Sequence, residues 1–352
     1  MTLHGPHIRT DVLTGQKVIV APRRSQRPSS SLRDLSLDDS IDPFAEGNEH
    51  DTPNERFAIR TADSSANGPG WKLRIVPNRY PAVESEATFS EPKSTSSPSQ
   101  FKQTAAADAV AFFPSRPAVG QHDVVIECPD KRSRMVELSV AEVHQTLIAW
   151  RTRMRQLMET PSICSVAIFR NEGFSAGASL AHCHSQIVAT TEQTPLDAKR
   201  HELAIHHRSK TGRDLVQDLW QAEQQHQVRV ITETPMFGVY CPFASRTSWH
   251  VRFQPTHSQP ASIVDSSDAI LLELATLLKD ALKSLEQILE GPFAFNLTLS
   301  HSRIDQSSAF SWYLDLLPRT GRIAGWELLS SIDIVTTSPE VAATMMRETL
   351  LR

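Results

Sequence analysis

Between Cys164 and Thr190 the chain carries the stretch that most narrows what it can fold into. It reads as a strand from Cys164 to Arg170, a loop rich in Gly and Ser from Asn171 to Ser179, and a second strand holding His182-Cys-His-Ser-Gln186. Side chains in a strand alternate between faces, so His182, His184, Gln186 and Val188 are expected to point one way and Cys183, Ser185 and Ile187 the other. Two imidazoles and a carboxamide then share one surface. Backbone N–H groups of the loop around Gly173 and Gly177 let an anion approach the main chain closely. A nucleophilic base beside an anion cradle outlines a site for phosphate chemistry. Such a site needs a sheet with one functional face and one face packed on helices.

The flanking sequence supplies both. Ser139 and Glu142 form a capping box, and the helix it starts, running to about Glu159, carries Val140, Val143, Leu147, Trp150, Met154 and Leu157 on one apolar stripe. Ile8 to Ala21 reads as a hairpin turning at Thr14 and Gly15, followed by Arg23, Arg24 and Arg27. Strands are expected at Arg56 to Arg60, Trp71 to Val76 and Gln121 to Glu127. The segment 84–108 is too poor in apolar groups to offset the entropy of ordering it and reads as a mobile loop. Pro195 to His226 is polar and helical in pattern, interrupted at Thr211 and Gly212. A second series then repeats the first: strand Ser248 to Gln254, helix Asp268 to Glu290, strands Phe293 to Ser300 and Phe310 to Leu317, and a last helix from Pro339. This repetition reads as an ancient duplication. It divides the chain into a catalytic unit, 1–195, and a second unit, 196–352, with Ser311, Tyr313 and Asp315 where a second histidine pair would stand.

The 352 residues carry a net charge of -4, so there is no basic field for general nucleic-acid binding and any phosphate recognition is local. Met1 to Pro6 has no apolar signal core, and no later run approaches the ~20 apolar residues that span a bilayer, so a cytoplasmic, non-membrane protein is expected. Cys128, Cys164, Cys183 and Cys241 contain no Cys-x-x-Cys and point to reduced thiols.

Asn171-x-Gly173, Gly177-x-Ser179 and His182-x-His184-x-Gln186 together resemble the active-site segment of the galactose-1-phosphate uridylyltransferases, in the histidine-triad superfamily. Asp11 to Pro28, Val76 to Pro81, Pro242 to Arg246 and Trp312 to Arg319 resemble that family's other landmarks in order. The resemblance implies an α+β fold of two histidine-triad-like halves, each a mainly antiparallel sheet packed with helices. It implies transfer of a nucleoside monophosphate between a nucleoside diphosphate sugar and a hexose 1-phosphate through a covalent nucleotidyl-histidine. His184 takes the role of nucleophile, Gln186 that of donor to the non-bridging oxygen, and His182 that of orienting group. Asn78, Asn171, Gly177 and Ser179 are assigned to nucleotide and phosphates, and Arg24 and Arg27 to the sugar-phosphate end. A homodimer is implied, because the family's sites are completed by the neighbouring subunit.

Many relatives hold zinc through a Cys-x-x-Cys, a downstream His and the first His of the motif. Here Asp42 and Ala45 stand for the cysteines and Lys131 for the downstream His, leaving His182. A second metal site is equally depleted, with His257 as a remnant beside Tyr313 and Asp315. No metal cofactor is therefore expected. The His-x-His-Ser-Gln form resembles the adenylyl-transferring branch, typified by ADP-glucose phosphorylase. The sequence leaves open the base, the sugar and whether inorganic phosphate is the acceptor, and a nucleotide-binding protein without turnover stands as the reading from another class.

Overall fold

The structure, a computed structural model, describes residues 5–26, 42–86, 112, 115–257, 259–302 and 310–350. Arg27 and residues 87–108 of the expected mobile segment lie outside the described residues. The N-terminal hairpin pairs β1 (His7–Thr10) with β2 (Lys17–Val20), and a short strand near the C-terminus, β13 (Asp333–Val335), adds in parallel to β2. Val18 and Val20 pack on Val335 and Ala244, as their alternation with Ile19 predicts.

Ten strands form the main sheet. The first half contributes β3 (Phe57–Arg60), β4 (Trp71–Pro77), β5 (Gly120–Ile126), β6 (Ser165–Glu172) and β7 (His184–Thr190). The second contributes β8 (Val230–Glu233), β9 (Phe237–Tyr240), β10 (Val251–Pro255), β11 (Phe295–Ser300) and β12 (Tyr313–Pro318). They lie in the order β3-β4-β5-β7-β6-β11-β12-β10-β9-β8, with every pairing antiparallel. The two halves are thus joined through β6 and β11 into one sheet. Strands β8, β9 and β13 are additions to the sequence reading. They are four residues or shorter, and Pro235 interrupts the β8–β9 hairpin, so their alternation is too brief to read.

Register places one row of side chains across nearly the whole sheet. Val76 pairs with Val124, Val124 with Gln186, Gln186 with Phe169, Phe169 with Thr298, Thr298 with Asp315, Asp315 with Arg252, and Arg252 with Tyr240. Directly paired residues share a face. The face that carries Gln186 therefore continues into the second half as the face that carries Asp315 and Arg252.

The opposite face is covered by α1 (Val140–Met158) and, in the second half, a longer helix. Ser139 caps α1 reciprocally with Glu142, its hydroxyl accepting from the Glu142 N–H at 3.2 Å. Of the expected stripe, Val143, Leu147, Trp150, Met154 and Leu157 are buried in the principal core, and Val140 in the first turn packs against it half-buried. Each such side chain contributes on the order of 1.5–3 kcal/mol by leaving water. Trp150 also donates its indole N–H to the Ser185 hydroxyl at 2.8 Å, which fixes Ser185 toward the helices and its neighbours, His184 and Gln186, toward the opposite side.

The polar region after β7 forms α2 (Pro195–Thr211) and α3 (Leu215–His226). Gly212, at φ 74°, stops α2 in the left-handed conformation that glycine adopts without strain. These two helices cover the Gln186 face in the second half. Trp220 of α3 stacks on Tyr240 at 5.7 Å, and Gln217 donates to the Pro255 carbonyl at 3.0 Å. The long helix of the second half, α4 (Asp268–Ile288), begins at the Ser267 cap and packs beside α1. A short helix, α5 (Gly325–Ser330), and α6 (Pro339–Leu350) complete the described chain. Among the described residues no helix is long and apolar enough to cross a membrane.

Candidate active site

His184 opens β7, and its imidazole is nearly buried, 6% exposed. Its Nδ1 lies 2.7 Å from the His182 carbonyl oxygen. A carbonyl only accepts, so Nδ1 carries the proton and Nε2 keeps its lone pair. Burial pushes the imidazole down to about 4, with the nearby Arg170 guanidinium adding to the fall, so the ring is neutral at pH 7. A neutral ring with a fixed tautomer is the nucleophilic form of histidine. The strand start is braced from below by Arg170, 1% exposed, which ion-pairs with Glu127 and with Glu172 at 2.8 Å and reaches the His184 carbonyl at 3.4 Å.

Gln186 follows on the same face, and it is held by a residue that motif reading passed over. His122 of β5 has Nε2 2.8 Å from the Gln186 Oε1, while its Nδ1 accepts the Ala82 N–H at 3.1 Å. The tautomer is thereby set, with Nε2 donating to the Gln186 carbonyl oxygen and leaving the amide NH2 free. A lone histidine in a strand gives no sequence signal of this; its pairing across β5 and β7 does.

Asn171 is oriented in the same way from the second half of the chain. Asn296 of β11 donates through Nδ2 to Asn171 Oδ1 at 2.8 Å and to the Ala176 carbonyl at 2.9 Å, and its own Oδ1 accepts from Arg319 Nε at 2.5 Å. Asn171 keeps its NH2 group for a ligand. The loop itself is a tight turn. Gly173 and Gly177 have φ of 81° and 88°, and the N–H groups of Ala176, Gly177 and Ala178 bond to Gly173 and Phe174 carbonyls inside it. The expected contribution of the Gly177 N–H to an anion cradle is thereby corrected: that proton is used within the turn, and Gly177 serves by its conformation.

A cavity of about 440 Å3 opens beside His184 and Gln186, and Asn78, Ser179, Phe44 and Tyr80 also line it. Four of the sequence-assigned residues, His184, Gln186, Asn78 and Ser179, thus meet at one cavity. Arg24 lines a different cavity, of about 320 Å3, with Arg246, Arg319 and Glu327. Arg319 of that cavity reaches Asn171 through Asn296.

His182 departs from the expected strand geometry. The ladder starts at His184, and the His182 ring turns toward Asp42, whose Oδ2 lies 2.7 Å from Nδ1. Nε2 lies 2.8 Å from the Cys128 carbonyl oxygen. With an acceptor at each nitrogen, both carry protons. Burial opposes that charge, but Asp42 and Cys128 outweigh it and push the imidazole up to about 9. Burial also works on Asp42, where the His182 bond and charge prevail and hold its carboxyl below the usual range. Phe44 packs edge-on against both rings, 6.0 Å from His182 and 5.4 Å from His184.

Zinc does not fit this arrangement. Both His182 nitrogens are engaged, Ala45 offers no donor and Lys131 adds a positive charge near Asp42. In the second half, Asp315 is gripped by Arg252 at 2.7 and 2.8 Å and approached by His250 at 3.2 Å, so the histidine beside Asp315 is His250 and not His257. Among the described residues no cluster of three or more His, Cys, Asp or Glu side chains is placed to hold a metal.

Comparison with known proteins follows the same outline. The sequence model described as galactose-1-phosphate uridyl transferase, N-terminal domain, matches residues 1–194. An ADP-glucose phosphorylase of Arabidopsis thaliana is 29% identical over 98% of this chain and 93% of that one. A galactose-1-phosphate uridylyltransferase of Cryptococcus neoformans is 24% identical over 98% and 90%. Among solved structures, the Arabidopsis thaliana ADP-glucose phosphorylase with bound ADP-glucose superposes with a TM-score of 0.78 at 27% identity, covering 98% of this chain and 99% of that one. A uridylyltransferase structure, TM-score 0.71 at 21% identity over 98% of both chains, shares the fold.

The Asp42 contact has a measurable consequence. Folding raises His182 from 6.5 to about 9, so the folded state favours its protonated ring. That stability is fully present below pH 6.5 and is lost as pH rises through about 9. Urea midpoints of the wild type are expected to fall more steeply across this window than those of Asp42→Ala; equal slopes would show that Asp42 does not hold the charge.

Proposed function

Because the chain belongs to the galactose-1-phosphate uridylyltransferase family, we propose that it moves a nucleoside monophosphate from a nucleoside diphosphate sugar to a phosphate acceptor, with His184 as covalent carrier. The observation that carries this reading is the neutral, tautomer-fixed imidazole whose Nε2 is left free beside a cavity. Nε2 attacks the α-phosphorus, the bond from phosphorus to the bridging oxygen breaks, and the sugar 1-phosphate leaves with that electron pair. The acceptor's phosphate oxygen then attacks the same phosphorus and restores His184. Nδ1 keeps its proton throughout, donating it to the His182 carbonyl oxygen, so positive charge on the phosphorylated ring is stabilised where it develops.

Gln186 presents its amide to the non-bridging oxygens, with His122 as the group that positions it. Asn171 and Ser179 face the phosphates, Asn78 the nucleoside, and the Arg24 and Arg319 cavity takes the sugar-phosphate end. His182, clamped by Asp42, holds the strand start through protein contacts alone, so the protein is proposed to work without metal. Exposed Ile323, Trp326, Leu328 and Leu329, on and beside α5, support a homodimer in which this apolar segment is covered by the second subunit.

For the nucleotide, uridylyl transfer to a hexose 1-phosphate is the activity the family's name carries. A second reading, adenylyl transfer to inorganic phosphate, is favoured by the His-Cys-His-Ser-Gln segment and by the full-length likeness to ADP-glucose phosphorylase. Native mass spectrometry of protein made without added metal or a metal-affinity tag, mixed with UDP-glucose or with ADP-glucose, tests these points together. Expected are a dimer, no zinc, and one added nucleoside monophosphate per subunit that His184→Ala does not acquire. An adduct on His184→Ala, a monomer with full activity, or stoichiometric zinc would each overturn the corresponding part.

His122→Phe is expected to slow adduct formation roughly 10- to 100-fold without changing the adduct mass, since the Gln186 amide is then free to flip. A wild-type rate would remove His122 from the site.

A further inference from the structure

On the Gln186 face of the sheet, in the second half, lies a cavity of about 270 Å3 that the proposed reaction does not use. Arg252 of β10, Tyr313 of β12 and Arg200 of α2 approach it from three different elements, and Gln16, Arg246 and His250 are among its other polar lining residues. Arg252 and Tyr313 are 3% and 1% exposed. The Tyr313 ring has the Arg252 guanidinium 4.0 Å from its centroid and that of Arg200 at 5.9 Å.

The carboxylates around the cavity are already engaged. Asp315 takes the Arg252 fork, Asp197 takes Arg200 Nη1 at 2.7 Å, and Asp11 accepts from the Thr14 hydroxyl at 2.6 Å and the Leu13 N–H at 3.1 Å. Three donors remain, beside one acceptor, Gln16 Oε1. Arg252 Nη1, Arg200 Nε and the Tyr313 hydroxyl are buried without a protein partner. Guanidinium nitrogens donate and never accept, so the group that satisfies them must bring acceptors. A divalent cation is excluded by two guanidinium groups. Donors converging from a strand, its neighbour and a helix suit a tetrahedral oxyanion better than a planar one.

We propose that this cavity is a second anion site, distinct from the His184 centre, that takes a phosphate group between Arg252, Arg200 and Tyr313. The ligand chemistry is that of phosphate, whether inorganic or carried on a small ester.

Crystals of the full chain soaked in selenate test it by anomalous scattering. A peak within hydrogen-bond reach of Arg252 Nη1 and the Tyr313 hydroxyl is expected, displaced by inorganic phosphate or by glucose 1-phosphate, and whichever displaces it at lower concentration names the source. Tyr313→Phe keeps the stacked ring and removes only the unpaired hydroxyl; Arg200→Gln removes one guanidinium at the cavity edge. Both are expected to lose most of the selenate while forming the His184 adduct at the wild-type rate. Water alone in the wild-type cavity, a selenate peak only beside Arg24 and Arg319, or undiminished occupancy in both variants would overturn the proposal. Arg252 is left intact in this design, since its removal would strand Asp315.

Discussion

Everything the site can do depends on the hydrogen bond from His184 Nδ1 to the carbonyl of His182, two residues earlier on the same chain. It removes one of the two tautomers and aims the remaining lone pair at the cavity. Because donor and acceptor belong to one short segment, the angle between them depends on where the backbone of His182 is held. The Asp42 and Cys128 contacts to the His182 ring hold it. A doubly hydrogen-bonded imidazolium thus anchors the backbone that orients a neutral imidazole, and two histidines two residues apart acquire opposite protonation from their surroundings. Burial dominates for His184; for His182 burial is outweighed by Asp42 and Cys128 together.

The same logic governs the two carboxamides. Gln186 has its oxygen held by His122 and Asn171 has its oxygen held by Asn296, so each can present only donors. Donors fixed before substrate arrives need no reorganisation as charge develops on phosphoryl oxygens. The second half contributes to this directly: Arg319 and Asn296 reach the loop between β6 and β7 because β6 and β11 are neighbours in one sheet. The second half of the chain therefore helps to hold the loop beside the candidate site.

Period-two alternation made the shared face of His184 and Gln186 legible, and the capping box and apolar stripe made α1 legible. The separation of Ser185 from that face, through Trp150, was legible for the same reason. The orientation of His182 was not, because the partner that turns it, Asp42, lies 140 residues away in sequence. His122, Asn296 and Arg319 act through strand neighbours and long-range pairs, which local pattern does not encode. Arg24 was matched by resemblance to the sugar-phosphate end, and the structure sets it at the cavity lined by Arg319. The chamber around Arg252 was hidden for a further reason: only the fold shows which donors of Arg252 and Arg200 are left over.

The central claim is that burial keeps the His184 imidazole neutral and nucleophilic well below its ordinary value. Rapid-quench measurement of the first-turnover adduct rate after a brief pH jump tests it most directly. The rate is expected to stay level from about pH 8 to about pH 5 and to fall by half only near 4, where His184 takes up its proton. A half-loss near the ordinary value of 6.5 would contradict the account, because the ring would then be solvated and its lone pair shared with water.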